Sequence, residues 1–342
     1  MSLSFRAIIA VSLLTLGGLF GPVPSEGKKK PVKPAWSSAL PSPPFGVRDL
    51  FYFSRPSELA KNANDGRAWQ AQCGFTGVIL PQEPYDLDPL SFDATAEQLR
   101  AYWQPLVTRY RPLKIWAGLG STRHLHDSQD NRETLFPWDD EARWARYLSR
   151  LRVFSRITGE LGISGVTMDA EFYGLDYPRQ DPKYAWRGGD PELIAHRGRE
   201  YVQALRSGNP GVVVAMNAIH ELEAPLAGYK PFWNAAFGEA RKNGGRAVFL
   251  HGGTFGTRGE FDWKAWRQKW WDWYGAEPIP GWYPKYTFAH TWPERAETFR
   301  KPMKLAGGWW VFTNTEFFSH PYYVKHGQAE QLKTTLKRIV AP

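Results

Sequence analysis

A chain of 342 residues, 42% hydrophobic and 23% charged, has the apolar surface for one large core and none of the bias that leaves a chain disordered. Its 43 Lys and Arg against 34 Asp and Glu give a formal charge of +9. Four of those cations, Lys28, Lys29, Lys30 and Lys33, share one segment and the rest are mixed with acids, with no arginine and aromatic stripe, which argues against a nucleic acid partner. The 17 Trp, 15 Tyr and 20 Phe exceed what a core of this size uses, which points some rings at a ligand.

The first element in chain order is a targeting segment. Arg6 precedes an apolar run from Ala7 to Phe20, about the length of a signal-peptide core and short for a membrane span, and Val23 and Ser25 supply small residues for cleavage. Residues 1–25 are therefore expected to be a signal peptide, so that the chain is secreted or periplasmic with no stable membrane insertion after cleavage. An uncleaved anchor is the alternative. Residues 26–44, which include GKKKPVKPAWSSALPSPP, read as a Pro/Lys-rich linker, and residues 45–342 as one catalytic domain. The single Cys73 has no internal disulfide partner and reads as a buried structural thiol.

From there, short β-rich runs alternate with longer amphipathic ones. The runs are VRDLFYFS (47–54), FTGVILPQ (75–82), LKIWAGLG (113–120), ISGVTMDAEF (163–172), GVVVAMNA (211–218), RAVFLHGGTF (246–255), WYPKYTFAHTW (282–292) and GGWWVFTNTEF, which begins at Gly307. Ser91 or Asp93 is placed to cap a helix through Tyr110, Asp139 and Asp140 one through Leu161, and Asp190-Pro191 one through Arg206. HGQAEQLKTTLKRIV closes the chain as a helix. Eight strand-then-helix units predict an α/β fold, a single-domain (β/α)8 TIM barrel. A doubly wound sheet is the alternative, disfavoured because no Gly-rich dinucleotide turn follows the first strand.

Function in such a barrel gathers at the C-terminal ends of the strands. There the runs turn polar: Gln82 and Glu83 after the second, Asp169, Glu171 and Tyr173 on and after the fourth, Asn217 on the fifth, His251 on the sixth. Tyr286, His290 and Trp292 stand on the seventh, and Trp310, Asn314 and Glu316 on the eighth. Carboxylates, amides, imidazoles and rings converging on one rim suit a carbohydrate substrate.

The fourth run is the sharpest. Alternation puts Thr167, Asp169 and Glu171 on one face and Val166, Met168 and Ala170 on the other, and the apolar face must meet the helices. Two carboxyls so close cannot both ionise freely, so one is expected to stay protonated and able to protonate a glycosidic oxygen. Glu171 is assigned as general acid and Asp169 as its tuning or substrate-positioning partner. The alternative is that both acids pair with Arg or Lys and only shape the rim.

Gly165, Asp169 and Glu171 resemble a degenerate form of the DGxDxDxE signature of the chitinase-like family 18 glycoside hydrolases, with Ser164 and Thr167 in place of the first two aspartates. GGWWVF (307–312) is similar to that family's glycine-led, Trp-containing eighth strand. The resemblance implies a TIM-barrel glycosidase. In its substrate-assisted form Asp169 would orient an acetamido group and a tyrosine such as Tyr286 would donate to it. If an enzyme carboxylate acts instead, Glu316, Glu83 and Glu221 are the choices.

No cofactor and no metal is expected. His124 and His126 lie in a predicted loop, and no helical ligand pair appears. His196-Arg197-Gly198 matches the opening tripeptide of glycerophosphodiesterases but falls inside a predicted helix, away from any strand end. Trp263, Trp266, Trp270 and Trp273 recur at helical spacing and read as a packing stripe. Trp309 and Trp310 must face opposite sides of their strand, so one of them can reach the mouth. The expected function is an exported glycoside hydrolase using carboxyl acid/base catalysis; the alternative is a non-catalytic carbohydrate-binding protein on the same barrel.

Overall fold

β-branched and aromatic runs bounded by Gly and polar residues form eight strands with helices between them. In the computed structural model residues 49–81, 93–119, 138–169, 190–218, 229–252, 262–282, 308–312, 325 and 327–340 are described. The order is β1 (Asp49–Phe53), α1 (Pro56–Ala60), α2 (Gly66–Cys73), β2 (Gly77–Pro81), α3 (Ala96–Tyr110), β3 (Lys114–Leu119), α4 (Glu141–Leu161), β4 (Gly165–Asp169) and α5 (Pro191–Gly208). It continues with β5 (Val213–Ala218), α6 (Tyr229–Ala240), β6 (Ala247–His251), α7 (Trp263–Tyr274), β7 (Glu277–Trp282), β8 (Gly308–Phe312) and α8 (Gln328–Val340). Each strand pairs with the next in parallel and β8 closes on β1, so the expected (β/α)8 barrel is the fold. Among the described residues no helix is long and apolar enough to cross a membrane.

Followed once around the barrel, the register returns to β1 displaced by eight residues, the shear of a (β/α)8 barrel. That shear sorts the inward positions into layers of four from alternate strands. Lowest are Asp49, Lys114, Val213 and Glu277, and above them Gly77, Gly165, Val248 and Gly308. Then come Phe51, Trp116, Ala215 and Ile279, followed by Ile79, Thr167, Leu250 and Trp310. Phe53, Gly118, Asn217 and Gly281 lie next, under a rim of Pro81, Asp169, Gly252 and Phe312. Phe51, Phe53, Ile79, Trp116, Ala215, Val248, Leu250, Ile279 and Trp310 form one buried cluster, the barrel interior. The opposite parity, including Val166, Met168, Val214, Met216, Phe249 and Trp309, joins the larger cluster between strands and helices.

The glycine layer has a steric cause. A Cβ on Gly77 would lie 2.2 Å from the Phe51 ring and one on Gly165 2.5 Å from Trp116, so the two large rings, 4.3 Å apart, occupy the space that side chains there would fill. Below them the barrel is closed by charge. Asp49, 0% exposed, accepts from Lys114 Nζ and Arg246 Nη1, each at 2.6 Å, and Arg246 Nε donates to Glu277 Oε2 at 2.9 Å. Burial raises the Asp49 carboxyl pKa, but the bonds from Lys114 and Arg246 outweigh it and hold the group below its ordinary value.

Helix ends follow their local chemistry. Asp140 caps α4, and Asp190 with Pro191 opens α5, as expected. The cap of α3 is Thr95, in a reciprocal box with Gln98, while Asp93 instead accepts from Arg150 of α4. The Arg206 guanidinium on α5 donates to Glu239 and Ala240 carbonyls at the end of α6, and Arg241, just past α6, donates to the Gly275 carbonyl that ends α7.

The seventh strand differs from the sequence reading. It is EPIPGW, Glu277–Trp282, and the run expected from 282 onward lies after it. Its two prolines, Pro278 and Pro280, are residues that strand interiors rarely carry. Both take the outward parity, and among the described residues β7 shares four register pairs with β6 and two with β8.

Candidate active site at the barrel mouth

At the strand C-termini the described residues bring two of the expected positions together, Asp169 and Asn217, and a third, Trp310, lies lower in the barrel interior. Val166 and Met168 pack outward, which gives Thr167 and Asp169 the inward parity on β4. Asp169 is register-paired with Asn217 of β5, which Val214 and Met216, facing out, leave facing in. Trp310 lies in the interior against Phe53, their rings 5.6 Å apart, whereas Trp309 faces Trp263 of α7 at 5.8 Å. One of the two adjacent tryptophans thus reaches the barrel interior. Its indole covers Gly281, where a Cβ would stand 2.3 Å from the ring.

His251 does not join them. It shares the parity of Ala247 and Phe249, while Val248 and Leu250 face in, and its ring packs 4.8 Å from Trp270 and 5.5 Å from Trp266 of α7. The polar end of β6 is part of the strand–helix layer, in the tryptophan stripe that α7 presents to the barrel. Trp270 in that stripe is buried, with Trp263, Trp266 and Trp273 packed against the same cluster.

Gln82, Glu83, Glu171, Tyr173, Tyr286, His290, Trp292, Asn314 and Glu316 lie outside the described residues. Asp169 is described through its strand position. His196, Arg197 and Gly198 sit on α5 and are accounted for by packing. The Arg197 guanidinium bonds Glu141 and Glu200, and Gly198 lies against the Phe232 carbonyl, where a Cβ would come within 2.2 Å.

The mouth has a polar floor in which Thr167, not among the expected site residues, joins the expected Asn217. Thr167 is 2% exposed and Asn217 5%, and neither Thr167 Oγ1 nor Asn217 Oδ1 has a hydrogen-bond partner among the described residues. Burying such a group unpaired costs about 1–3 kcal/mol. Thr167 is flanked in the sheet by Gly118 and Ala215. The signal was present in the alternation of VTMD, which puts Thr167 on the same face as Asp169. Among the described residues no group of three His, Cys, Asp or Glu is placed to hold a metal ion.

Comparison with known proteins bears on the fold. No protein-family model matches the chain, and no curated protein matches it in sequence. Among solved structures, endo-glycoceramidase II from Rhodococcus sp., in a cellobiose-like imidazole complex, is 12% identical, with 79% of this chain and 75% of that chain covered at a TM-score of 0.50. The architecture is shared. A 3-keto-D-glucoside 4-epimerase from E. coli, also 12% identical, covers 85% of this chain and 98% of its own at 0.48, and a family 18 chitinase from Crocus vernus, 10% identical, covers 85% and 100% at 0.46. At these identities the likeness is one of fold, the eight-stranded barrel.

Proposed function

We propose that the chain is an exported glycoside hydrolase whose general acid is Glu171. The observation that carries the reading is the placement of β4. Its apolar side chains pack outward, so Asp169 takes the inward parity on the rim, beside Asn217 and above Thr167. Glu171 follows Asp169 by two residues in the sequence. An acid position and an amide at the C-terminal mouth of a barrel suit sugar hydroxyls, and a second acid two residues on suits the protonation of a glycosidic oxygen. Asp169 is the partner that raises the Glu171 pKa or positions the sugar. The resemblance of GVTMDAE to the family 18 signature supports the same roles.

The test compares wild type with Glu171→Gln on a panel of oligosaccharides and aryl glycosides. Hydrolysis of the oligosaccharides should fall by about 10²–10⁴, while aryl glycosides with acidic leaving groups, which need no protonation, lose far less. Saccharide binding and the unfolding midpoint should stay near wild type. Unchanged turnover would refute the assignment, and wild-type binding without turnover across the panel would move the chain to the non-catalytic carbohydrate-binding reading.

A further inference from the structure

Thr167 and Asn217 are unusual among the inward residues of the upper barrel, because their neighbours in the two layers are Phe53, Ile79, Leu250, Trp310, Gly118 and Gly281. They are two adjacent, nine-tenths-buried polar groups facing the mouth, each with an oxygen that has no partner among the described residues. A hydroxyl and an amide that serve only packing are readily replaced by Val and Leu, which would carry no such penalty. Their presence on the inward face of β4 and β5 is explained if a ligand group completes them.

The depth of the pair restricts that group. Each layer lies about 2.7 Å below the next, from a rise of about 3.3 Å per residue at a tilt of about 36°. Asn217 is therefore one layer below Asp169 and Thr167 two, with Gly118 and Ala215 on either side of Thr167 in the sheet. A pyranose ring resting on the rim cannot descend so far, but a short exocyclic arm can. We infer that Thr167 and Asn217 receive the exocyclic hydroxymethyl group of a hexopyranose and so select hexosides over pentosides. The arm's hydroxyl donates to Asn217 Oδ1 and accepts from the Thr167 hydroxyl, so that both oxygens gain a partner. The inference rests on the carbohydrate reading above and concerns binding alone, with no bond made or broken.

A site built to hydrogen-bond a substrate hydroxyl discriminates strongly against the analogue that lacks it, because its own polar groups are then left unpaired. The experiment measures calorimetric binding of cellotetraose, mannotetraose and xylotetraose to the full chain carrying Glu171→Gln, alone and combined with Thr167→Val or Thr167→Ser. At least one hexose oligomer should bind about tenfold or more tighter than xylotetraose. Thr167→Val should weaken hexoside binding about two- to tenfold with little effect on xylotetraose, narrowing the gap, and Thr167→Ser should restore it. The Val variant should unfold at or above the wild-type midpoint, since it removes an unpaired buried hydroxyl, which separates lost recognition from lost folding. Equal binding of xylotetraose, a gap unchanged in Thr167→Val, or no binding of any of the three would each overturn the inference. Tight, hexose-selective binding with no turnover by the wild-type chain would sustain it and refute only the hydrolase.

Discussion

Replacing Asp49 by Asn tests the ionic layer that closes the lower end of the barrel. The substitution keeps the shape of the side chain and removes the charge that Lys114 and Arg246 share. Breaking a fully buried ion pair costs about 3–5 kcal/mol. Here the Lys114 side chain is 51% exposed and that of Arg246 29%, and Arg246 keeps Glu277, so water and the remaining acid recover part of the loss. The expected destabilisation is about 2–4 kcal/mol, and with a urea slope of about 3 kcal/mol per molar the unfolding midpoint falls by about 1 M. The abundant tryptophans make fluorescence-detected urea unfolding the assay. The pH dependence carries the sign. The folded-state pKa of Asp49 is depressed, so its contribution is complete above the unfolded value of about 3.9 and is lost as pH falls through the lower folded value. The gap between wild type and variant should therefore be constant from neutral pH to about pH 5 and close in stronger acid. A destabilisation under about 0.5 kcal/mol at neutral pH, or a gap that persists in strong acid, would refute the reasoning.

Two further predictions concern packing. Gly165→Ala places a Cβ 2.5 Å from Trp116 and should destabilise by about 1–3 kcal/mol in the same assay, whereas Gly211→Ala, with no atom within 4 Å of the new Cβ, should change stability by less than about 0.5 kcal/mol. Burial pushes the Cys73 thiol up to about 12, so at pH 8 a disulfide reagent should label the native chain about a hundredfold or more slowly than the urea-unfolded one; labelling of the native chain at the rate of a free thiol would contradict the burial.

Much of the barrel was legible because each strand carries its own signal. VTMD and VVAMN alternate so plainly that the outward residues, and with them the inward parity of Asp169 and Asn217, follow from the run itself. EPIPGW was missed because its prolines are punctuation almost everywhere else, and only the closed ring demands a strand there. His251 was misplaced by reading polarity at a strand end without parity, although Val248 and Leu250, one residue to either side of Phe249, already claim the interior. Thr95 was overlooked as a cap because Asp93 is the stronger type, and what decides between them is Arg150, on another helix. The ionic layer had no local signal at all. Asp49 and Arg246 are 197 residues apart, and their meeting is a product of shear.

That ionic layer also sets the electrical relation between the two ends of the barrel. Its formal charges, two acids and two bases, sum to zero, and about five residue steps, or about 13 Å of mostly hydrocarbon and glycine, separate it from Asp169. A neutral, tightly paired group at that range projects little field. The lower end can then be rebuilt for thermal endurance and the upper end for a different ligand, with the two sets of changes combining additively.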